Sequence, residues 1–309
     1  VVTSSPPGGQ KAVPHWTDID WAPSIASRVI NGLRLQYLDY GAGPAVVLLH
    51  GMASSWQWWL ENIPALAQQH RVIAVDLPGF GQSDPLPAPA EMATHARTVL
   101  DLLTELGIES ATVSGHSMGG LVAIEMFKAD PRRTSNLILV DSGGVPMSER
   151  RLAVILVVLR LCSAFLRRRF VRHALATRMW VRQIALRAAF RDPRAMSPEL
   201  AAMTMPAFGG PGSVDAIPAA ARSVHATVPE SITCPVLLVW GEHDVVVPPS
   251  CAHQMHDKLP DCELAVFSGV GHSPMVELPD RFNDLALNFL AAHETAFQEA
   301  AVRDTKCPS

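Results

Sequence analysis

The apolar run at residues 111–114 leads directly into Gly115-His116-Ser117-Met118-Gly119-Gly120, and an apolar helical pattern follows at once over residues 121–127. A chain that leaves a strand and enters a helix within so few residues must turn sharply. Glycines on both sides of the turn let strand and helix approach without side-chain collision, and the serine between them is forced outward above the sheet edge. Ser117 is therefore a candidate nucleophile. The same pentapeptide also serves as a small-residue packing turn, and its spacing alone does not separate the two.

The rest of the chain repeats this strand-then-helix order. Apolar runs at 45–49, 71–75, 111–114, 137–140, 236–240 and 264–267 alternate with helical patterns at 56–69, 90–106, 120–129, 250–258 and 279–292. Such continuous apolar strands suit a parallel sheet covered on both faces, and the alternation assigns the α/β class. Two further extended runs, 25–30 and 34–40, flank Asn31-Gly32 and predict an antiparallel hairpin at the start of the sheet. Between 140 and 236 no strand pattern occurs, which predicts an inserted helical cap. The expected organisation is an N-terminal extension over 1–24, a core formed by 25–142 and 231–295, a helical cap over 143–230, and a polar C-terminal tail over 296–309.

Composition excludes several classes. Of 309 residues, 48% are hydrophobic and 17% charged, too apolar for a disordered chain and too interrupted by charge for a helical membrane protein. The net charge of −4 gives no basic footprint for nucleic acid. That average hides an asymmetry: residues 149–194 hold 12 Arg, no Lys and two acids, a net +10, against −14 for the remainder. An amphipathic helix over 175–191 is expected there, its cationic face solvated, or attracting an anionic substrate or membrane surface. The most apolar stretch, 152–166, contains Arg160 and falls short of the roughly 20 residues that span a bilayer, so it reads as a buried or interfacial helix. No basic segment followed by an apolar one opens the chain, giving a cytoplasmic expectation. Five cysteines without a C-x-x-C spacing (Cys162, Cys234, Cys251, Cys262, Cys307) read as buried reduced thiols. Cys251, His253 and His256 lack a second ligand cluster, so no metal is expected.

A serine hydroxyl attacks only when a neutral imidazole takes its proton, and the imidazole needs a carboxylate to fix its tautomer. Asp244, in the turn after the run 236–240, and His272, after 264–267, lie past strand ends where open α/β sheets build their sites. They are the expected acid and base; Asp141, after 137–140, is a rival acid. The developing oxyanion needs donors, for which the backbone amides of Met52 and Met118 are placed after a strand and at a helix start. His50 suits a loop-bracing hydrogen bond. An apolar pocket lined by Gly51, Trp56, Met203 and Met275, drawn from a wider set with Met52, Trp58, Trp59, Met118, Met205 and Phe208, is expected, its methionines suited to an irregular hydrophobic ligand.

Together the H-G-x loop at His50 to Met52, the D-x-P-G-x-G-x-S motif from Asp76 to Ser83, the elbow at Ser117, the acid loop at Asp244 and Gly271-His272 resemble the α/β-hydrolase fold superfamily, in its helical-capped, serine-dependent branch of esterases and lactonases related to meta-cleavage product hydrolases. The resemblance implies a mostly parallel eight-stranded sheet flanked by helices with an inserted helical cap, a Ser117-His272-Asp244 triad, an acyl-enzyme, no cofactor and a hydrophobic small-molecule ester or lactone as substrate. Dehalogenases and epoxide hydrolases of the superfamily carry aspartate where Ser117 stands, whereas the carbon-carbon hydrolases typically carry Asn where His116 stands. Carbon-carbon hydrolysis is the rival activity, and a ligand receptor on the same fold the rival class.

Overall fold

A computed structural model describes residues 13–87, 91–145, 149–166, 168–187, 189–208, 212–224 and 231–304. In chain order the elements are β1 Ile25–Ile30, β2 Leu33–Gly41, β3 Ala45–Leu49, α1 Ile63–Leu66, β4 Arg71–Val75, α2 Met92–Glu105, β5 Ala111–His116, α3 Met118–Ala129, β6 Thr134–Val140, α4 Glu149–Leu166, α5 Arg169–Thr177, α6 Met179–Ala185, α7 Pro198–Thr204, α8 Gly212–Val224, β7 Val236–Gly241, α9 Pro249–His256, β8 Cys262–Phe267, α10 Pro274–Glu277 and α11 Pro279–Asp304. The strands form one eight-stranded sheet in the order β1-β2-β4-β3-β5-β6-β7-β8. β1 pairs with β2, and β2 with β4, in antiparallel fashion; every later pair is parallel.

Alternate residues of each strand enter opposite cores, as a period of two dictates. On β3, Val47 and Leu49 join the layer of α2, α3 and α9, while Val46 and Leu48 join that of α1 and α11. On β7, Leu238 and Trp240 face the first layer and Leu237 and Val239 the second. The strand order reverses around β3, which has β4 on one side and β5 on the other. At such a switch point the following connections depart to opposite faces and leave a crevice above the strand ends. The loops after β3 and β5 meet there.

Several segments depart from the sequence expectations, each for a tertiary reason. The helical pattern at 56–69 is a 3₁₀ turn at Trp56–Trp59 followed by the single turn α1. Trp56, Trp58 and Trp59 are all buried, so this segment is enclosed by the core instead of lying on it. Residues 175–191 do not form one helix: the backbone of Arg178 is extended between α5 and α6. Buried Arg182 donates from Nη1 to the carbonyls of Leu175 and Ala176, filling acceptors that the end of α5 leaves open. Trp16 and Trp21, inside the expected extension, pack into the core beside Tyr40 and Trp56. The polar end of the chain stays helical through Asp304.

α3 sits unusually close to the sheet. A Cβ on Gly119 would collide with the carbonyl oxygens of Leu49 and His50, and one on Gly120 with the Ser142 hydroxyl. Because the first obstruction is backbone, it cannot rotate away. Gly119→Ala is expected to cost about 3 kcal/mol, visible as a lower urea midpoint with an unchanged slope.

Candidate active site

Ser117 occupies φ 53°, ψ −113°, a region that side chains with a Cβ avoid. Its N–H donates to Val140 O at 2.9 Å, extending the β5–β6 ladder by one rung past the turn. Gly115 makes the turn possible, since a Cβ there would strike the Gly119 backbone. Of the four non-glycine residues with positive φ among the described residues, Asn31 closes the β1–β2 hairpin; the other three, Ala53, Ser117 and Asp141, end the loops after β3, β5 and β6. Backbone strain is thus concentrated at one sheet edge.

His272, in the loop after β8, brings Nε2 to 3.0 Å from Ser117 Oγ. Its Nδ1–H donates to Asp244 Oδ2 at 2.7 Å, which leaves the Nε2 lone pair facing the hydroxyl. Asp244 is fixed by Val246 and Val247, whose N–H groups donate to Oδ1 at 2.7 and 2.9 Å. Ser117 and His272, with Asp244 behind them, border a cavity of about 490 Å³, whose walls include Gly51, Met52, Trp58, Met118, Leu121, Leu166, Val171, Leu175 and Phe208. Met118 N–H is the first amide of α3, which no intrahelical carbonyl reaches; like Met52 N–H, it donates to no acceptor among the described residues. A wider cleft of about 870 Å³, lined by Arg187, Arg191, Arg194, Glu242 and His243, reaches Asp244 from behind and touches neither Ser117 nor His272.

Among the residues expected to line the pocket, Gly51 does so. Trp56 and Met275 are fully buried in the core behind it, and Met203 is an exposed residue of α7. Trp58 and Phe208, of the wider set, form the aromatic wall, 5.4 Å apart between ring centroids. Composition identified the residue types but not which side of the 3₁₀ turn faces the cavity.

The supporting shell is built from buried groups. His50 donates from Nδ1 to Gly51 O and accepts from Leu77 N–H at Nε2, so it braces the loop carrying Met52. Asp76 accepts from Trp56 N–H and Gln82 N–H, joining that loop to the glycine turn; burial pushes its carboxyl up to about 6. His116, set aside as a family departure, holds the base: its Nε2–H donates to the carbonyl of His272 at 2.7 Å, and its ring stacks on Trp58. Its place beside the serine is the sequence signal for such a role. The base loop is also tied to the cap, because His272 N–H donates to Ala189 O and the Glu277 carboxylate accepts from Gly271, Arg191 and Asp192 N–H groups.

Asp141, the rival acid, is wholly buried and accepts from Gly241 N–H at Oδ1. No N–H or O–H donates to its Oδ2 among the described residues. Burial first, and the neighbouring Asp244 charge second, hold its carboxyl well above the usual carboxylate range. Its side chain lies beside that of Asp244.

Buried His116, Asp141 and His272 also form the one cluster among the described residues whose ligating atoms lie within 4.8 Å of each other. Both nitrogens of His272 and one of His116 are already engaged in the hydrogen bonds above, so these atoms do not converge as free ligands on one point. Burial raises the thiols of Cys234 and Cys262 to about 12, which leaves them unreactive. Cys251 is buried too, while the side chains of Cys162 and Cys307 lie outside the described residues.

Residues 44–279 match the family model described as the alpha/beta hydrolase fold. The chain belongs to that family. An uncharacterized protein of Mycobacterium tuberculosis is 32% identical, over 91% of this chain and 85% of its own length. A 2-hydroxy-6-oxononadienedioate/2-hydroxy-6-oxononatrienedioate hydrolase of a Pseudomonas species is 29% identical, over 85% and 93%. The crystal structure of an esterase from a Rhodococcus species superposes with a TM-score of 0.67 at 25% identity, over 87% and 99%. This chain is an α/β hydrolase with the eight-stranded sheet of that fold. No described helix is long and apolar enough to cross a membrane.

Two predictions follow from this geometry. Asp244→Asn should lower kcat by about 10³–10⁴-fold, as loss of the orienting acid does in serine triads. Asp141→Asn should retain kcat within about tenfold, because an amide keeps the acceptor that Gly241 N–H uses and Asn tolerates the φ of 44°.

Burial also pushes His50 and His95 down to about 4 and His116 well below its ordinary 6.5. The unfolded chain takes up protons at these positions first, so their contribution is complete above pH 6.5 and is lost as pH falls toward 4. Asp76, between 6 and its ordinary 3.8, and Asp141, Glu61 and Glu277, also raised by burial, act in the opposite sense and offset part of this. The histidine part lowers urea midpoints from pH 6.5 to 4. His95→Leu should flatten that dependence, because neither nitrogen of His95 has a partner among the described residues.

Proposed function

We propose that this α/β hydrolase cleaves a carboxylic ester or lactone of a hydrophobic substrate. Ser117 attacks the carbonyl carbon while His272 Nε2 takes the hydroxyl proton, and Asp244 stabilises the imidazolium that results. The amides of Met52 and Met118 receive the oxyanion. The tetrahedral species expels the alcohol, protonated by His272. Water, deprotonated by the same imidazole, then releases the acid and restores Ser117.

The observation that carries this reading is the hydrogen-bonded line of 2.7 and 3.0 Å from Asp244 through His272 to Ser117, whose last two members border an apolar cavity. That cavity has no Lys or Arg among its described lining residues. The absence bears on the rival activity. A hydrolase named for 2-hydroxy-6-oxo-6-phenylhexa-2,4-dienoate, 28% identical and from Burkholderia cepacia, acts by its name on a carboxylate. A buried carboxylate needs a cation or several donors to replace its hydration. A neutral ester or lactone needs neither, and the Trp58, Phe208 and leucine walls match its apolar body.

The test is steady-state hydrolysis of p-nitrophenyl esters, from acetyl to long acyl, by wild type and Ser117→Ala. Serine-dependent turnover that improves beyond acetyl is expected, with Ser117→Ala lowering kcat by about 10³-fold or more at unchanged thermal stability. Cleavage of a coloured ring-fission dienoate without ester turnover would hand the activity to carbon-carbon hydrolysis. A ligand that stabilises the protein but is never consumed would favour a receptor.

A further inference from the structure

α4 presents its apolar residues to solvent. Val154, Val157, Leu161 and Phe165 recur at intervals of three or four, and their exposures of 64, 53, 66 and 55% mark one continuous outer stripe. Phe170 at the start of α5, and Met179, Trp180 and Ile184 on α6, are also more than half exposed. With Val158 these make nine of the fifteen exposed large hydrophobic side chains among the described residues, gathered into a small part of the chain. A helix facing only water carries polar residues on its outer face, so this stripe is suited to a non-aqueous neighbour.

Charge identifies the neighbour. Arg150, Arg160, Arg168, Arg169 and Arg178 are exposed on the same helices. None pairs with a carboxylate among the described residues, unlike Arg194, which is held by Asp192 at 2.7 Å. Residues 149–194 carry +10 and the remainder −14. An anionic surface therefore attracts this face and repels the others, which fixes the orientation of approach. Apolar side chains flanked by arginine, with an exposed tryptophan nearby, are the makeup of a helix that lies in a lipid headgroup layer. α4 is not long and apolar enough to cross a bilayer.

The same residues reach the cavity. Val154, Val158 and Phe165 belong to the exposed set and also to the wall above Ser117, so the stripe borders the mouth. We propose that α4, with the arginines around it, docks on an anionic phospholipid bilayer and opens the cavity mouth toward the acyl layer. A hydrophobic substrate then passes from lipid to Ser117 without crossing water. The docking goes beyond the ester reading and does not depend on which bond is broken.

The test is co-sedimentation of the full chain with phosphatidylcholine vesicles, with and without phosphatidylglycerol, at low and high salt. Binding to the anionic vesicles that weakens with salt is expected, and little binding to pure phosphatidylcholine. Val157→Glu with Leu161→Glu, at exposed positions that do not line the cavity, should weaken binding by about tenfold or more, since these side chains can no longer enter the apolar layer. Arg160→Gln with Arg168→Gln should weaken it and reduce its salt dependence, and both double variants should keep the wild-type melting temperature. The proposal is overturned by absence of binding to anionic vesicles at low salt, by equal binding to neutral ones, or by unaltered binding of the glutamate variant. Light scattering that shows a dimer broken by the glutamate substitutions would assign the stripe to a second copy of the chain. Ser117→Ala should bind vesicles like wild type, so failure of the ester reading leaves the docking result intact.

Discussion

The strained turn at Ser117 is the constraint around which the sheet edge is organised. Holding a serine at φ 53° requires a glycine behind it, a glycine two residues ahead, and a rung of the β5–β6 ladder to take its N–H. Those requirements bring α3 against the end of β3, so the loop carrying Met52 cannot move independently of the loop carrying Ser117. Strain recurs at Ala53 and Asp141 on the two neighbouring strands, and rigid packing beneath all three supports it. What results is a hydroxyl raised above the sheet with two unused amides on residues that line the same cavity.

The acid and base loops are assembled in the same interlocking way. A Cβ on Gly241 would strike the Gly271 carbonyl, so the two loops touch through backbone. His116 fastens the base from below through its carbonyl, and Ala189 fastens it from above through its amide. The position of His272 thus depends jointly on the core and on the inserted helices. Burial keeps His50 and His116 neutral, so each has one donor and one lone pair to offer as a structural brace. Asp141 follows the same logic, its carboxyl raised by burial beside a charged one. The inserted helices serve a second purpose, since they form the cavity roof and also carry the outer apolar and cationic face.

Much of this was legible in the sequence. The eight strands follow from apolar runs bounded by turns, and the elbow, acid and base loops follow from chemistry-bearing residues just past strand ends. Those signals are local, because strand period and turn chemistry are read over a few residues. Pocket lining was less legible. Trp56 and Trp58 are equally apolar and two residues apart, yet one enters the core and the other faces His116, a difference set by the direction of a 3₁₀ turn. Met203 and Met275 have the residue type of a pocket wall, and neither reaches the cavity. The break at Arg178 depends on a buried guanidinium filling the carbonyls at the end of α5, and no helical periodicity carries that information.

The sequence by itself determined the fold class, the sheet edge that bears the site, and the identity of the serine and histidine brought together there. Each is fixed by short-range rules of backbone sterics and by the order of strands along the chain. Only the tertiary structure decided which carboxyl meets His272 as an acceptor, since Asp141 and Asp244 both end strands. Asp244 accepts the imidazole because two amides of its own loop hold it in place, whereas Asp141 lies where burial and the neighbouring Asp244 charge raise its carboxyl. The outward direction of the α4 stripe was likewise decided by packing, because hydrophobicity specifies what a helix must bury and not whether the neighbour is protein or lipid.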